Sequence, residues 1–120
     1  MKLKLLDVIN SKDVLEKINK EAFSAKVSYF IQRNLKNINN EFLNFSDTRL
    51  KLFEKYGEKI EESYRILPEK IEKFTKEMNE LITQEIELDI IQVSLDEFDC
   101  KLSPEEMSKI DWMFKFEQEV

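Results

Sequence analysis

The chain has 120 residues, of which 42% are hydrophobic and 37% charged, and its formal net charge is −6. This size and hydrophobic content predict one globular domain over residues 1–120 and exclude a disordered acidic chain. Because one glycine and two prolines are too few for the many turns of a sandwich or barrel, we predict a mainly α fold with minor β.

The cysteine content and the hydropathy of the chain indicate a cytoplasmic protein without membrane contact. The single cysteine cannot form an internal disulfide, and no apolar run approaches the roughly 20 residues that span a bilayer. The first ten residues have neither a long apolar stretch nor a small-residue cleavage site, so they lack the pattern of a signal peptide.

Charge is distributed unevenly along the chain. Residues 1–40 contain eight basic and four acidic side chains, whereas residues 80–120 contain three basic and twelve acidic ones. An acidic region repels nucleic-acid phosphates and attracts basic protein surfaces. We therefore predict a protein partner with a basic surface and no direct nucleic-acid binding, although excess acid also serves solubility alone.

The first half of the chain predicts a short helix followed by a long one. Asn10 or Ser11 is the expected N-cap of the short helix, which runs to about Ala22. Ser24 begins the long helix, and Gly57 is expected to end it in the left-handed conformation common at the C′ position. The apolar positions of the long helix recur in steps of three and four, at Ile31, Leu35, Ile38, Phe42, Phe45, Leu52 and Tyr56.

A second amphipathic helix is expected to pair with the long one. Residues 58–67 predict an irregular or extended return, and Pro68 suits the first turn of the next helix. That helix carries an apolar stripe of its own, at Ile71, Phe74, Met78 and Leu81. The two stripes predict an antiparallel helical hairpin. Arg49, which interrupts the first stripe, is expected to lie along the helix or pair with an acid of the opposite helix, with a partner contact as the alternative.

Residues 85–90 have the period of a strand rather than of a helix. In the run EIELDI, acidic and apolar residues alternate strictly, which segregates them on the two faces of a strand. One strand alone leaves its backbone groups unpaired, so a partner strand is needed. The candidate partners are residues 3–9 and residues 64–67.

The last third of the chain predicts one helical turn and one short helix. Ser94 is expected to cap a turn through Phe98, and S-P-x-E at residues 103–106 is a capping box with proline at the first helical position. The apolar members of the last helix are Met107, Ile110, Met113 and Phe114. Because Trp112, Phe114 and Phe116 alternate, one helix face cannot bury all three, and we expect at least one to be exposed.

The residue types argue against an enzyme, a metal centre or a bound cofactor. The chain has no histidine, so Cys100 lacks the usual base that activates a thiol, and one glycine excludes glycine-rich phosphate loops. The acidic segment 85–99 lacks the spacing of a calcium loop. We therefore interpret it as either a solvated strand face or a partner-binding surface.

The predicted partner-binding surface combines acids of this segment with two C-terminal aromatic residues. Its members are Glu85, Glu87, Asp89, Asp96, Glu97, Asp99, Trp112 and Phe116. The acids are expected to supply charge complementarity, and the aromatic residues are expected to supply affinity.

Three stretches of the chain, in this order, resemble a known family. They are SAKVSYFIQRNLKNINNEFLNFSDTRLKLFEKYGEK, EMNELITQEIELDIIQVSLDEFD and LSPEEMSKIDWMF. Over about residues 24–114 the chain resembles small, functionally unassigned helical proteins encoded by phages and prophages of low-GC bacteria. The resemblance implies a phage origin and carries no catalytic residues.

A phage origin and an acidic chain without catalytic groups are compatible with two roles. The first is an inhibitor of a host defence protein, of the anti-CRISPR type, which docks its acidic surface on the basic nucleic-acid-binding surface of an RNA-guided nuclease in the bacterial cytoplasm. The alternative is a virion assembly or tail chaperone factor that acts by helical packing. In either role the helical stripes are compatible with a monomer or a homodimer.

Overall fold

The computed structural model describes residues 1–98 and 100–115. Its elements in chain order are β1 Lys2–Lys4, α1 Leu5–Ile18, α2 Ala25–Tyr56, β2 Gly57–Ile60, β3 Ser63–Ile66, α3 Ile71–Ile82, β4 Glu85–Glu87, β5 Val93–Ser94, α4 Pro104–Ile110 and β6 Phe114–Lys115. Three 3₁₀ turns lie at Pro68–Lys70, Leu95–Glu97 and Asp111–Met113. The predicted class, mainly α with minor β, is confirmed.

Helix α2 is the long axis of the molecule. It begins after Ser24 as predicted, and Ser24 caps it, because its Oγ accepts a hydrogen bond from the Val27 amide at 3.3 Å. At 1.5 Å per residue its 32 residues extend about 48 Å, close to the longest dimension of the molecule, 55 Å. The helix packs against α1 and α3.

Burial divides the molecule into a filled body and a thinly packed arm. The body, residues 1–45 together with the described residues after 82, holds the hydrophobic core. The arm, residues 46–82, is described throughout, and within it Tyr56 is the one buried hydrophobic side chain. The radius of gyration is 17.5 Å, whereas a compact domain of this length has about 14 Å. The arm therefore projects from the body, although Met78, Leu81 and Ile82 at the end of α3 still pack against the core.

Helix α1 begins and ends earlier than the sequence predicts. It starts at Leu5, so the expected caps Asn10 and Ser11 lie inside it, and it ends at Ile18 rather than near Ala22. The Asp7 carboxylate accepts a hydrogen bond from the Lys4 amide at 3.2 Å, which satisfies one of the amides at this helix start. Ser11 is buried, and its hydroxyl donates to the Val8 carbonyl within the helix at 2.8 Å.

The end of α2 differs from the prediction because Gly57 is not left-handed. Its φ of −123° and ψ of 178° are extended, and it is the first residue of β2. A Cβ at this position would lie 2.7 Å from the Phe53 carbonyl oxygen and 2.8 Å from the Arg65 carbonyl oxygen. Glycine is thus required by the close approach of two backbones and not by its dihedral freedom.

The predicted helical hairpin is present in the arm. Helix α3 runs antiparallel to the C-terminal part of α2, where the Phe74 ring stacks on Phe53 at 5.5 Å and meets Tyr56 edge-on at 6.5 Å. Lys55 Nζ lies 3.1 Å from a Glu77 carboxylate oxygen across the same contact. The intervening residues form the antiparallel hairpin β2–β3, so the extended alternative for 58–67 is right.

The remaining strands form two further pairs. Strand β1 pairs antiparallel with β4, with Leu3 opposite Ile86, and β5 pairs parallel with β6, with Val93 opposite Phe114. The first candidate partner of the acidic strand, residues 3–9, is therefore right only for residues 3–4, because the chain is helical from Leu5 onward. The second candidate, residues 64–67, is wrong, because β3 is occupied by β2.

The C-terminal capping box is confirmed, but the last helix is shorter than predicted. The Glu106 amide donates to Ser103 Oγ at 3.1 Å, and the Ser103 amide donates to the Glu106 carboxylate at 3.0 Å. Helix α4 ends at Ile110, so Met113 and Phe114 are buried from a 3₁₀ turn and a strand. None of the helices described combines the length and the apolar composition needed to cross a bilayer.

Candidate protein-binding surface

The acidic segment, residues 85–98, lies along the N-terminal half of α2 with its charges outward. Leu88 is buried, and Glu85, Glu87 and Asp89 are exposed, so the predicted segregation of the two faces is confirmed. Regular strand pairing nevertheless stops at Glu87.

Side chains of α2 replace a strand partner for the next residues of this segment. The buried Asn34 donates from Nδ2 to the Ile91 carbonyl at 2.7 Å and accepts the Ile91 amide on Oδ1 at 2.8 Å. One helical turn further, Asn37 Nδ2 donates to the Asp89 carbonyl at 2.7 Å. Three backbone groups of the segment are thus satisfied by amide side chains of a helix.

Three of the predicted binding acids form ion pairs inside the molecule. The N-terminal ammonium of Met1 lies 2.8 Å from Glu87, and its hydrogen bond lowers the pKa of that carboxyl. Arg33 Nη2 lies 3.0 Å from Asp89. Lys26 Nζ lies 3.5 Å from Glu97. All three cations come from the basic first 40 residues, so the charge separation along the sequence is partly cancelled in space.

Two predicted binding acids remain open to a partner. Glu85 and Asp96 are exposed, and within residues 1–98 and 100–115 neither belongs to an ion pair. Glu85 lies opposite Lys4 in the β1–β4 register, and Asp96 lies on the 3₁₀ turn after β5. Asp99 and Phe116 lie outside the described residues.

The expected exposure of an alternating aromatic residue is not seen at Trp112 or Phe114, the two of the three that the structure describes. Phe114 is buried, its ring 4.7 Å from that of Phe98, whereas Trp112 is half-buried. The Trp112 indole donates to the Lys109 carbonyl at 3.2 Å, and its own carbonyl accepts from Gln92 Nε2 at 3.2 Å. The indole is therefore fixed at the edge of the body, beside a polar cleft of about 390 Å³ between α1 and α4.

The described side chains offer no metal centre. Across residues 1–98 and 100–115, no three His, Cys, Asp or Glu side chains are grouped so that they could hold an ion. Cys100 is half-buried near the start of the loop that leads to α4.

The arm carries exposed aliphatic side chains, and one of them, Ile71, was predicted to lie in the buried stripe of α3. Ile60 is 43% exposed and Ile71 is 50% exposed. A groove of about 550 Å³ separates α2 from the β2–β3 hairpin, and it is lined by Ser46, Asp47, Arg49, Leu50, Phe53, Glu62, Ser63 and Tyr64.

Arg49 lies on aromatic rings at the wall of this groove. Its guanidinium carbon is 5.6 Å from the centre of the Phe45 ring and 6.0 Å from that of Phe53. The prediction that the Arg49 side chain lies along the helix is right. Its charge is placed over ring faces, a favourable cation–π arrangement, rather than against an acid of α3.

Comparison with protein-family models, with curated proteins and with solved structures finds no match for this chain. The resemblance to phage-encoded proteins therefore stays a prediction.

Proposed function

We propose that this chain is a non-catalytic, phage-encoded protein-binding module of the bacterial cytoplasm, and that it acts as a virion assembly or tail chaperone factor through its arm. The observation that carries the proposal is the incomplete burial of the arm, in which α3 has no fully buried residue. An amphipathic helix normally buries its apolar stripe. A protein partner that covers Ile60 and Ile71 would complete this packing.

The charge of the arm supports an apolar contact. Residues 46–82 contain eight basic and nine acidic side chains, so the arm is nearly neutral although the chain as a whole is not. Aromatic side chains line its groove, and buried aromatic residues dominate the affinity of protein interfaces. The partner that fits is a structural protein with an exposed apolar helix or strand surface.

The test is capture of partners from phage-infected cells with the full chain, followed by identification by mass spectrometry. The expected result is a phage structural protein that stays bound at high salt and is lost by the double variant Ile60→Glu/Ile71→Glu. Leu95→Glu, which changes an aliphatic residue 36% exposed in the body, is the matched control and should retain the partner. Retention by the arm variant would overturn the proposal.

Inhibition of a host defence protein is a second candidate, supported by the two open acids of the segment. Glu85 and Asp96 would complement a basic nucleic-acid-binding surface, such as that of an RNA-guided nuclease. Binding through these acids should weaken steeply with salt, because exposed charges are screened over about 8 Å at physiological ionic strength. The double variant Glu85→Lys/Asp96→Lys should abolish inhibition of DNA cleavage, and unchanged inhibition would exclude this contact.

A further inference from the structure

The solvent-facing side of α2 carries a stripe of charged and apolar residues. The order of these residues is complementary to the same stripe of a second copy that runs antiparallel. Residues seven apart share one face of a helix, and Lys36, Leu43 and Leu50 have this spacing, with Glu54 one turn further. Leu43 is 62% exposed and Leu50 is 45% exposed. The order along the stripe is basic, apolar, apolar, acidic.

Reversal of this stripe brings unlike charges and like apolar groups together. If a second α2 crosses antiparallel between Ser46 and Asp47, Leu43 of each copy meets Leu50 of the other. Lys36 then lies within one turn of Glu54 of the second copy. In the described part of the chain, neither Lys36 nor Glu54 belongs to an ion pair, so both charges are available.

We propose that the solvent-facing side of α2 is the interface of an antiparallel homodimer. A two-fold axis repeats each contact, so the stripe supplies two leucine contacts and two ion pairs from four residues of each chain. Another protein would need an independent match to the same order of charges, whereas a second copy has it by symmetry. One helix face buries little surface, so the dimer is weak and reversible.

Asp47 gives the proposal a second signature. It lies next to the crossing point and on the same side of the helix as Lys36 and Glu54, so the two copies of Asp47 face each other near the axis. Like charges that approach in this way oppose association. Asp47→Asn is therefore expected to tighten the dimer.

The experiment is analytical ultracentrifugation of the full chain over a concentration series. The expected mass rises above that of the 14.4 kDa monomer with concentration. Leu43→Glu or Leu50→Glu should weaken dimerisation by at least about tenfold. Lys36→Glu and Glu54→Lys should each weaken it, and the double exchange Lys36→Glu/Glu54→Lys should restore it. Leu95→Glu is the control in the body and should leave the dimer unchanged.

Three results would overturn the proposal. The first is a monomer at every concentration, which would leave this face to a different protein. The second is a dimer that tolerates the leucine variants. The third is a double exchange that does not restore association. Circular dichroism of each variant shows whether it is folded. Because the changed side chains are exposed, we expect every variant to fold. The proposed interface shares Asp47 and Leu50 with the wall of the groove in the arm, and the proposed function is tested separately, at Ile60 and Ile71.

Discussion

Asn34 pairs with Ile91 as one strand residue pairs with another, through both the amide and the carbonyl of Ile91. A residue of a helix thereby anchors the acidic segment where its strand pairing has ended. Since Asn34 is fully buried, both hydrogen bonds are shielded from water.

The first prediction concerns this anchor. Asn34→Ala leaves the amide and the carbonyl of Ile91 unpaired in a half-buried place, and each unsatisfied group costs about 1–3 kcal/mol. We expect a loss of roughly 2–4 kcal/mol in the free energy of unfolding, measured by urea titration with circular dichroism. Asn40→Ala changes an exposed asparagine of the same helix and should remain within about 0.5 kcal/mol of the wild type. Equal effects of the two variants would contradict the anchoring role.

Asn34 also shows what the sequence does not reveal. It follows Ile31 and precedes Leu35 in the buried stripe of α2, so a polar residue on the core face was visible. Its partner is the backbone of a segment 57 residues away, which no local pattern identifies. Several other asparagines lie in the same helix, and the sequence does not show which of them hydrogen-bonds the backbone of a distant segment.

Local rules predicted the features that depend on neighbouring residues. The N-cap Ser24 and the capping box at Ser103 are formed by residues three positions apart, so they can be predicted from sequence. The start of α1 could not be predicted, because residues 1–5 alternate as a strand and the helix begins within the same run. The ion pairs of Glu87, Asp89 and Glu97 could not be predicted either, because their partners are brought close only by the fold.

The second prediction separates two reasons for Gly57. If glycine served a left-handed conformation, asparagine would be the best replacement. Because the backbone is extended and two carbonyl oxygens crowd the Cβ position, any side chain should be harmful. Gly57→Ala and Gly57→Asn should each lower the free energy of unfolding by about 1–3 kcal/mol. Lys59→Ala in the same strand is the control, and a milder effect of asparagine than of alanine would contradict the steric account.

The third prediction concerns strain at the tip of the arm. Glu61 has a φ of 56°, in the left-handed region that costs a residue with a side chain roughly 1–2 kcal/mol. Glu61→Gly relieves this strain but adds chain entropy to the unfolded state, so we expect a net gain of about 0.5–1 kcal/mol in thermal or urea unfolding. The neighbouring Glu62 does not have a positive φ, and Glu62→Gly should be neutral or destabilising. The reverse order of the two variants would argue against strain at Glu61.

The last prediction concerns the response of the body to acid. A hydrogen bond from Lys17, followed in strength by one from the Ser103 amide, lowers the pKa of Glu106 to about 2 from its usual 4.5. Lys17 Nζ lies 2.8 Å from this carboxylate, which joins α1 to the start of α4. A carboxyl with a lowered pKa in the folded state stabilises the fold above its unfolded pKa, and this contribution is lost as the pH falls through its folded pKa.

Glu106→Gln should therefore be less stable than the wild type at neutral pH, and the difference should shrink between pH 4.5 and pH 2 as the wild type becomes protonated. Lys17→Met should reproduce this behaviour, because it removes the main cause of the lowered pKa. Lys20→Met changes an exposed lysine just after α1 and should keep the wild-type dependence on pH. Urea unfolding at a series of pH values measures all four proteins, and a difference between Glu106→Gln and the wild type that persists unchanged at pH 2 would show that the ion pair is not its source.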